Sequence, residues 1–104
     1  MNQDRLKLLE QFVKEEPDDP FNWYALALEE AKSNQARSCE LFEHVLEKHP
    51  DYLPTYYHAG DLYMSLGNTK RAKAILEKGL NLAKQKKEQK TMNELRTLLD
   101  ELID

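Results

Sequence analysis

The stretch from His49 to Lys84 reads HPDYLPTYYHAGDLYMSLGNTKRAKAILEKGLNLAK, and it decides the fold. Apolar and aromatic residues recur in it at helical spacing up to Gly67, and a second amphipathic run follows that glycine. The pattern predicts a helix over about 53–66, a stop at Gly67, and a second helix from residue 68 or 69 to about 85. The stretch is therefore a helix–turn–helix unit.

A weaker copy of this unit lies upstream in the chain. The second helix recurs three times, at offsets of 33 and then 34 residues, and the first helix recurs twice. The aligned residues of the second helices are Leu8/Leu41/Ile75, Leu9/Phe42/Leu76, Val13/Leu46/Leu80 and Pro17/Pro50/Lys84, and those of the first helices are Trp23/Tyr56, Leu26/Ala59 and Ala27/Gly60. The change of offset falls between the helices, where Ser33-Asn34-Gln35 replaces Ser65-Leu66-Gly67-Asn68. A repeat whose length varies only in a turn is typical of a stacked helical array.

The remaining segments also have helical spacing, and none alternates as a strand would. A first helix carries the stripe Leu6, Leu9, Phe12 and Val13 and is closed by Pro17, and a second runs from about Pro20 to Ala31 with Asp18 or Asp19 as its cap. A third covers Gln35–Lys48, and a last one covers about Gln89–Ile103, with Met92, Leu95, Leu98, Leu99 and Leu102 on one side. Lys86-Lys87-Glu88 contains no Gly or Pro, so the fifth and sixth helices could be continuous there; we favour a break.

The pattern Tyr56-x2-Ala59-Gly60-x2-Tyr63, followed by Ala72-x3-Leu76 and Gly79-Leu80, resembles the tetratricopeptide repeat. Small residues in it let paired helices approach, and large ones fill the space beside them. The resemblance implies an all-α, right-handed superhelix of about six helices in a single domain. Its parts are a half-repeat helix in residues 1–17, repeat one in 20–52, repeat two in 53–86, and a capping helix in 88–104. The last segment lacks the repeat signature, because Lys90, Glu94 and Thr97 replace its aromatic and small residues.

The resemblance implies a function in binding other proteins. The first helix of each repeat lines a concave groove in this family, and ligand peptides lie there. The positions that match the groove are Phe21, Tyr24 and Leu28 in repeat one and Tyr57, Asp61 and Met64 in repeat two, with His58 at the edge. Exposed apolar and aromatic residues together usually mark a binding surface.

Two interpretations of this stripe stay open. It is either an open peptide site, in a protein-binding adaptor, or a face covered by the terminal helices or by a second copy, in a homo-oligomerisation module without a separate peptide ligand. Family members that clamp a carboxylate use lysines and asparagines in the groove, but Tyr24 and Leu28 stand in two of those places and Asp61 adds negative charge. We therefore expect a peptide of apolar or mildly basic character.

Composition and motifs argue against other classes of function. The net charge is −4, with −6 in residues 1–52 (6 Lys+Arg, 12 Asp+Glu) and +2 in residues 53–104 (9 against 7), so there is no basic footprint for nucleic acid. The single Cys39 suggests a reducing compartment, and with no membrane-spanning stretch or signal sequence we expect a cytoplasmic protein. The spacing Cys39-x4-His44-x4-His49 spreads its side chains around a helix, so no metal or other cofactor is expected. No phosphate-binding loop or catalytic motif occurs, and we expect no enzyme activity.

Overall fold

The computed structural model describes residues 3–103, and this part of the chain forms six α-helices and no strand. The helices are α1 (Gln3–Glu15), α2 (Pro20–Glu30), α3 (Gln35–Lys48), α4 (Pro54–Ser65), α5 (Thr69–Lys86) and α6 (Gln89–Ile103). The predicted all-α class is confirmed, and each predicted helix lies within about two residues of its observed bounds. None of the helices in these residues is both long and apolar enough to cross a membrane.

The chain divides into two compact units, Met1–Tyr52 and Leu53–Asp104. In the N-terminal unit, α2 packs against both α1 and α3. In the C-terminal unit, α5 packs against both α4 and α6, and α4 also touches α6. Each unit therefore contains one closely paired helix hairpin and one additional helix.

Side-chain caps define where the helices begin. Asp19 accepts a hydrogen bond from the backbone N–H of Phe21 (3.0 Å) at the start of α2. Asn34 and Asn68 do the same for α3 and α5, accepting from residues 37 and 71 at 3.1 and 3.2 Å. Each cap satisfies an N–H group that would otherwise lack a partner in the first turn.

The predicted break between α5 and α6 is present, although no glycine lies there. Lys87 adopts a left-handed conformation with φ of 59°. The N–H of Glu88 then reaches the carbonyl of Ala83 at 2.9 Å, which closes the end of α5. A non-glycine residue in this conformation costs roughly 1–2 kcal/mol relative to a right-handed one.

Close approach of the paired helices depends on small residues. A Cβ added at Gly79 would lie 2.5 Å from Cβ of Tyr56, and one added at Gly60 would lie 2.6 Å from Cγ of Leu76. In the N-terminal unit, the buried Ser38 donates a hydrogen bond to the carbonyl of Ala27 at 2.6 Å. The packing role predicted for the small residues is confirmed for both glycines.

The length difference between the repeats lies in the turn, as predicted. The N–H of Asn34 donates to the carbonyl of Glu30, four residues earlier, at 2.6 Å. The N–H of Asn68 donates to the carbonyl of Tyr63, five residues earlier, at 2.9 Å. The longer turn contains Gly67 with φ of +82°, a conformation that side chains disfavour. One extra residue is thus accommodated without changing the start of the next helix.

On α1 the predicted apolar stripe is only partly correct. Leu6, Leu9 and Val13 are buried, but Phe12 is 40% exposed and Leu8, which aligns with the buried Leu41 and Ile75, is 48% exposed. Phe12 lies on a different side of the helix because it is about 100° from Val13 around the axis. The helix therefore has an inner and an outer apolar face.

Glu29 of α2 is a carboxylate that the fold buries. Its side chain is only 5% exposed and accepts hydrogen bonds from Nε of Arg5 (3.0 Å) and from Nζ of Lys32 (3.2 Å). Burial alone raises the pKa of Glu29, but the hydrogen bonds from Lys32 and Arg5 outweigh it and leave the pKa below its ordinary value. The carboxylate stays ionised and ties α1 to α2.

Candidate functional site

Two of the predicted groove residues of α2, Phe21 and Tyr24, belong to a partly exposed aromatic cluster. Phe21 is 54% exposed, and its ring centroid lies 6.3 Å from that of Tyr24. Tyr24 in turn meets Tyr52 edge to face, with centroids 5.6 Å apart. Leu28 lies one turn further along α2 and is half-buried. We call Phe21, Tyr24, Leu28 and Tyr52 the aromatic patch.

The two tyrosines of the aromatic patch remain uncharged at neutral pH. Burial raises the pKa of Tyr24, and the neighbouring Tyr52 raises it further. Burial also raises the pKa of Tyr52, and the carboxylate of Asp19 adds to the effect. The patch therefore offers ring faces and neutral hydroxyl groups, next to an acidic side chain.

The opposite side of α2 has a structural role. The ring of Trp23 lies against the ring of His44, with centroids 4.0 Å apart, and its Nε1–H donates to the carbonyl of Pro17 at 2.7 Å. Burial lowers the pKa of His44, and the nearby His49 and Lys48 lower it further against the opposing effect of Glu47. His44 is therefore neutral at pH 7 and serves to pack Trp23. No group of three possible metal ligands occurs in the part of the chain that the structure describes.

The predicted groove residues of α4 form a mixed surface. Tyr57, His58 and Met64 are half-buried, whereas Asp61 is exposed. The ring of His58 meets that of Tyr57 edge to face at 5.3 Å. Burial lowers the pKa of His58, and the carboxylates of Asp61 and Glu94 oppose this shift without cancelling it. At neutral pH the α4 surface thus has a neutral histidine beside the exposed acidic residue Asp61.

The sequence profile of the tetratricopeptide repeat family matches residues 27–95. The chain belongs to this family. The match covers the end of α2, all of α3, α4 and α5, and the first part of α6. The repeat signature from Tyr56 to Leu80 lies entirely within it.

Solved structures similar to this chain are also tetratricopeptide repeat proteins. A tetratricopeptide repeat domain protein from Salinibacter ruber is 40% identical over 84% of this chain and 89% of its own, with a TM-score of 0.78. The TPR2B domain of yeast Sti1, solved in complex with pHsp70, is 15% identical over 93% of this chain and 78% of its own, with a TM-score of 0.86. A protein from Bordetella parapertussis is 20% identical over 98% of this chain and 90% of its own, with a TM-score of 0.81. No protein of curated function is significantly similar to this chain.

Within this tetratricopeptide repeat protein, the structure adds two features to the predicted site. Tyr52 joins the aromatic patch although it lies after α3 in the chain, and helical spacing along α2 could not reveal that. His44 pairs with Trp23, which only the packing of α2 on α3 brings together. Both features depend on contacts between segments, so periodicity within one helix carried no signal for them.

Proposed function

We propose that this protein is an adaptor that binds a protein or peptide segment on the exposed faces of α2 and α4. The observation that carries the proposal is Phe21, which is more than half exposed while its ring contacts Tyr24. A solvent-exposed aromatic residue next to a half-buried one gains free energy when a partner covers both. The seven residues proposed as contacts are Phe21, Tyr24, Leu28, Tyr57, His58, Asp61 and Met64.

The charge around these surfaces favours an apolar or mildly basic partner. Residues 1–52 carry a net charge of −6, and Asp19 lies close enough to Tyr52 to raise its pKa. On α4 the exposed carboxylate is Asp61, and the neighbouring His58 does not neutralise it because its pKa is lowered. Complementary charge would speed association and select the partner more than it would raise affinity.

The family supports the class of function. Tetratricopeptide repeats are in general modules for protein–protein interaction and not enzymes, and the yeast Sti1 domain was solved with pHsp70 bound. Tyr24, Leu28 and Asp61 give this chain no cation to hold a ligand carboxylate at those positions. We therefore propose a partner recognised through apolar and basic side chains, in the reducing compartment that a single Cys39 suggests.

The α2 surface is tested by selecting ligands from a random peptide library displayed on phage. We expect enriched peptides with aromatic or aliphatic residues beside Lys or Arg. Phe21→Ala should weaken the binding of a selected peptide about tenfold or more in calorimetry, since exposed aromatic anchors contribute most to such interfaces. The matched control is Leu66→Ala, because Leu66 is similarly exposed (45%) but lies in the turn after α4. Equal affinity of the Phe21→Ala variant and the wild type would contradict the assignment.

The α4 surface is tested by the double variant Tyr57→Ala with Met64→Ala. Both side chains are half-buried, so we expect nearly unchanged helicity and melting and clearly weaker peptide binding. Unfolding of this variant would identify the two residues as core. Asp61→Asn should reduce the affinity for basic peptides and make it less dependent on salt, because a charge pair is lost.

The competing function is homo-oligomerisation without a separate peptide ligand. It predicts that no peptide is enriched in the selection and that light scattering shows a dimer at micromolar concentration. A monomer that binds selected peptides through Phe21 would exclude it.

A further inference from the structure

The outer face of α1 carries Leu8 and Phe12. Among the described residues, no other helix covers this face. Continuing the repeat alignment pairs Arg5, Leu8 and Phe12 of α1 with Ser38, Leu41 and Val45 of α3 and with Ala72, Ile75 and Gly79 of α5. All six of these α3 and α5 residues are buried. Several contact the helix before them, as Ser38 does through the carbonyl of Ala27 and Gly79 does against Tyr56. The corresponding residues of α1 are exposed, Leu8 by 48% and Phe12 by 40%.

This face is separate from the contacts that hold α1 in the fold. Leu6, Leu9 and Val13 form the buried side, and Leu8 and Phe12 lie roughly 100° around the helix from them. Covering Leu8 and Phe12 would therefore leave the packing of α1 against α2 unchanged. The face is an apolar helix surface bounded by charged residues, which is the pattern of a helix–helix contact.

The residues along this face are complementary in charge and in size to the same face of a reversed copy. Arg5, Leu8, Phe12 and Glu15 follow one another at spacings of three, four and three, so they share one side of α1. In an antiparallel pair centred between Leu8 and Phe12, Leu8 of each copy lies opposite Phe12 of the other. Arg5 of each copy then lies opposite Glu15 and Glu16 of the other, which are exposed at the end of α1. A two-fold interface requires such a self-complementary surface.

We propose that the outer face of α1 binds the same face of a second copy as an antiparallel helix pair. Nε of Arg5 donates to Glu29 within the chain, and a guanidinium has five N–H donors, so an arginine that already holds one carboxylate can hold a second one as well. A single pair of helices about 20 Å long buries less than the roughly 1,200 Å² of a standard interface. The dimer is therefore weak and reversible, and it leaves the aromatic patch on α2 available.

Sedimentation velocity from about 10 µM to about 1 mM covers the range in which an interface below standard size associates. We expect the sedimentation coefficient of the wild type to rise with concentration toward that of a dimer. Phe12→Glu should remain monomeric throughout, because it places two carboxylates on the apolar contact. Leu66→Glu is the matched control, since Leu66 is exposed to a similar degree and lies in the C-terminal unit, and it should associate like the wild type.

Disulfide trapping tests the antiparallel register. In a Cys39→Ser background, differently tagged Leu8→Cys and Phe12→Cys chains should cross-link to each other faster than either links to itself, because a disulfide needs Cα atoms within about 7 Å. Faster formation of Leu8→Cys homodimers would overturn the register.

A wild type that stays monomeric up to about 1 mM would overturn the proposal, as would association that Phe12→Glu does not weaken. Peptide binding through Phe21 would be unaffected by either result, so failure of this inference is distinguishable from failure of the proposed function.

Discussion

Replacing Gly79 by alanine tests how closely α4 and α5 approach. The added Cβ would lie 2.5 Å from Cβ and 2.9 Å from Cγ of Tyr56. Carbon atoms in contact are normally about 3.5–4.0 Å apart, so one helix must move by about 1 Å. Because Cβ of Tyr56 is fixed to the backbone, rotation of the side chain cannot relieve this contact.

Two opposing effects set the magnitude. Overpacking of a close contact costs about 1–3 kcal/mol, whereas replacing glycine by alanine in a helix gains roughly 1 kcal/mol of helix propensity. We expect the overpacking to prevail, with a net loss of about 1 kcal/mol in the free energy of unfolding. Urea unfolding followed by circular dichroism measures this loss. Asn81→Ala is the control, since Asn81 is exposed on the same helix and the change should leave stability equal or slightly higher.

Gly60 differs from Gly79 in the atoms that an added Cβ would meet. The Cβ added in Gly60→Ala meets Cγ of Leu76 at 2.6 Å and its Cδ atoms, which Leu76→Ala removes. The two changes should therefore be coupled, so that the double variant loses less stability than the sum of the single ones. Tyr56→Ala keeps the Cβ that the new methyl group of Gly79→Ala meets. Gly79→Ala should therefore still lower the free energy of unfolding when it is made in the Tyr56→Ala background. A Gly79→Ala variant as stable as the wild type would refute the close helix pairing.

Three further changes give independent tests. Thr55→Val should raise the free energy of unfolding by about 1 kcal/mol, because Oγ1 of Thr55 is fully buried without a hydrogen-bond partner; a lower urea midpoint would contradict this. Lys87→Gly should raise the free energy of unfolding by up to about 1 kcal/mol, because glycine adopts the left-handed conformation without strain. An unchanged or lower melting temperature would show that the backbone at Lys87 is not strained. Glu29 has a folded pKa below its unfolded value of about 4.3, so the stability it contributes is present above that pH and is lost as pH falls through the folded pKa. The gap in urea midpoint between wild type and Glu29→Gln should therefore narrow on acidification to about pH 3, and a constant gap would exclude the ion pair with Arg5 as its source.

The helices could be predicted from the sequence because their signals are local. Apolar spacing located all six, and Asp19 and Gly67 marked the ends that a cap and a left-handed residue require. The burial of Glu29 could not be predicted in this way, because it depends on Arg5, 24 residues earlier in the chain. Burial of a carboxylate is favourable only with such partners, and spacing within α2 does not reveal them.

For the candidate site, too, local features could be predicted from the sequence and contacts between distant segments could not. The side of α2 and α4 on which its residues lie could be derived from the repeat, because position in a repeat determines which way a side chain faces. The extent of exposure could not be derived, since it depends on neighbouring segments. Tyr52 shields Tyr24 but leaves Phe21 open, and Leu8 is exposed although its repeat equivalents are buried.

The stacking of Trp23 on His44 has a practical consequence for spectroscopy. Trp23 is the only tryptophan in the chain, so its fluorescence reports on the N-terminal unit alone, whereas circular dichroism averages the helices of both units. Coincident transitions from the two signals would show that the units unfold as one cooperative block. An earlier or later fluorescence transition would instead resolve the stability of each unit, and the difference would measure how strongly adjacent repeats depend on one another.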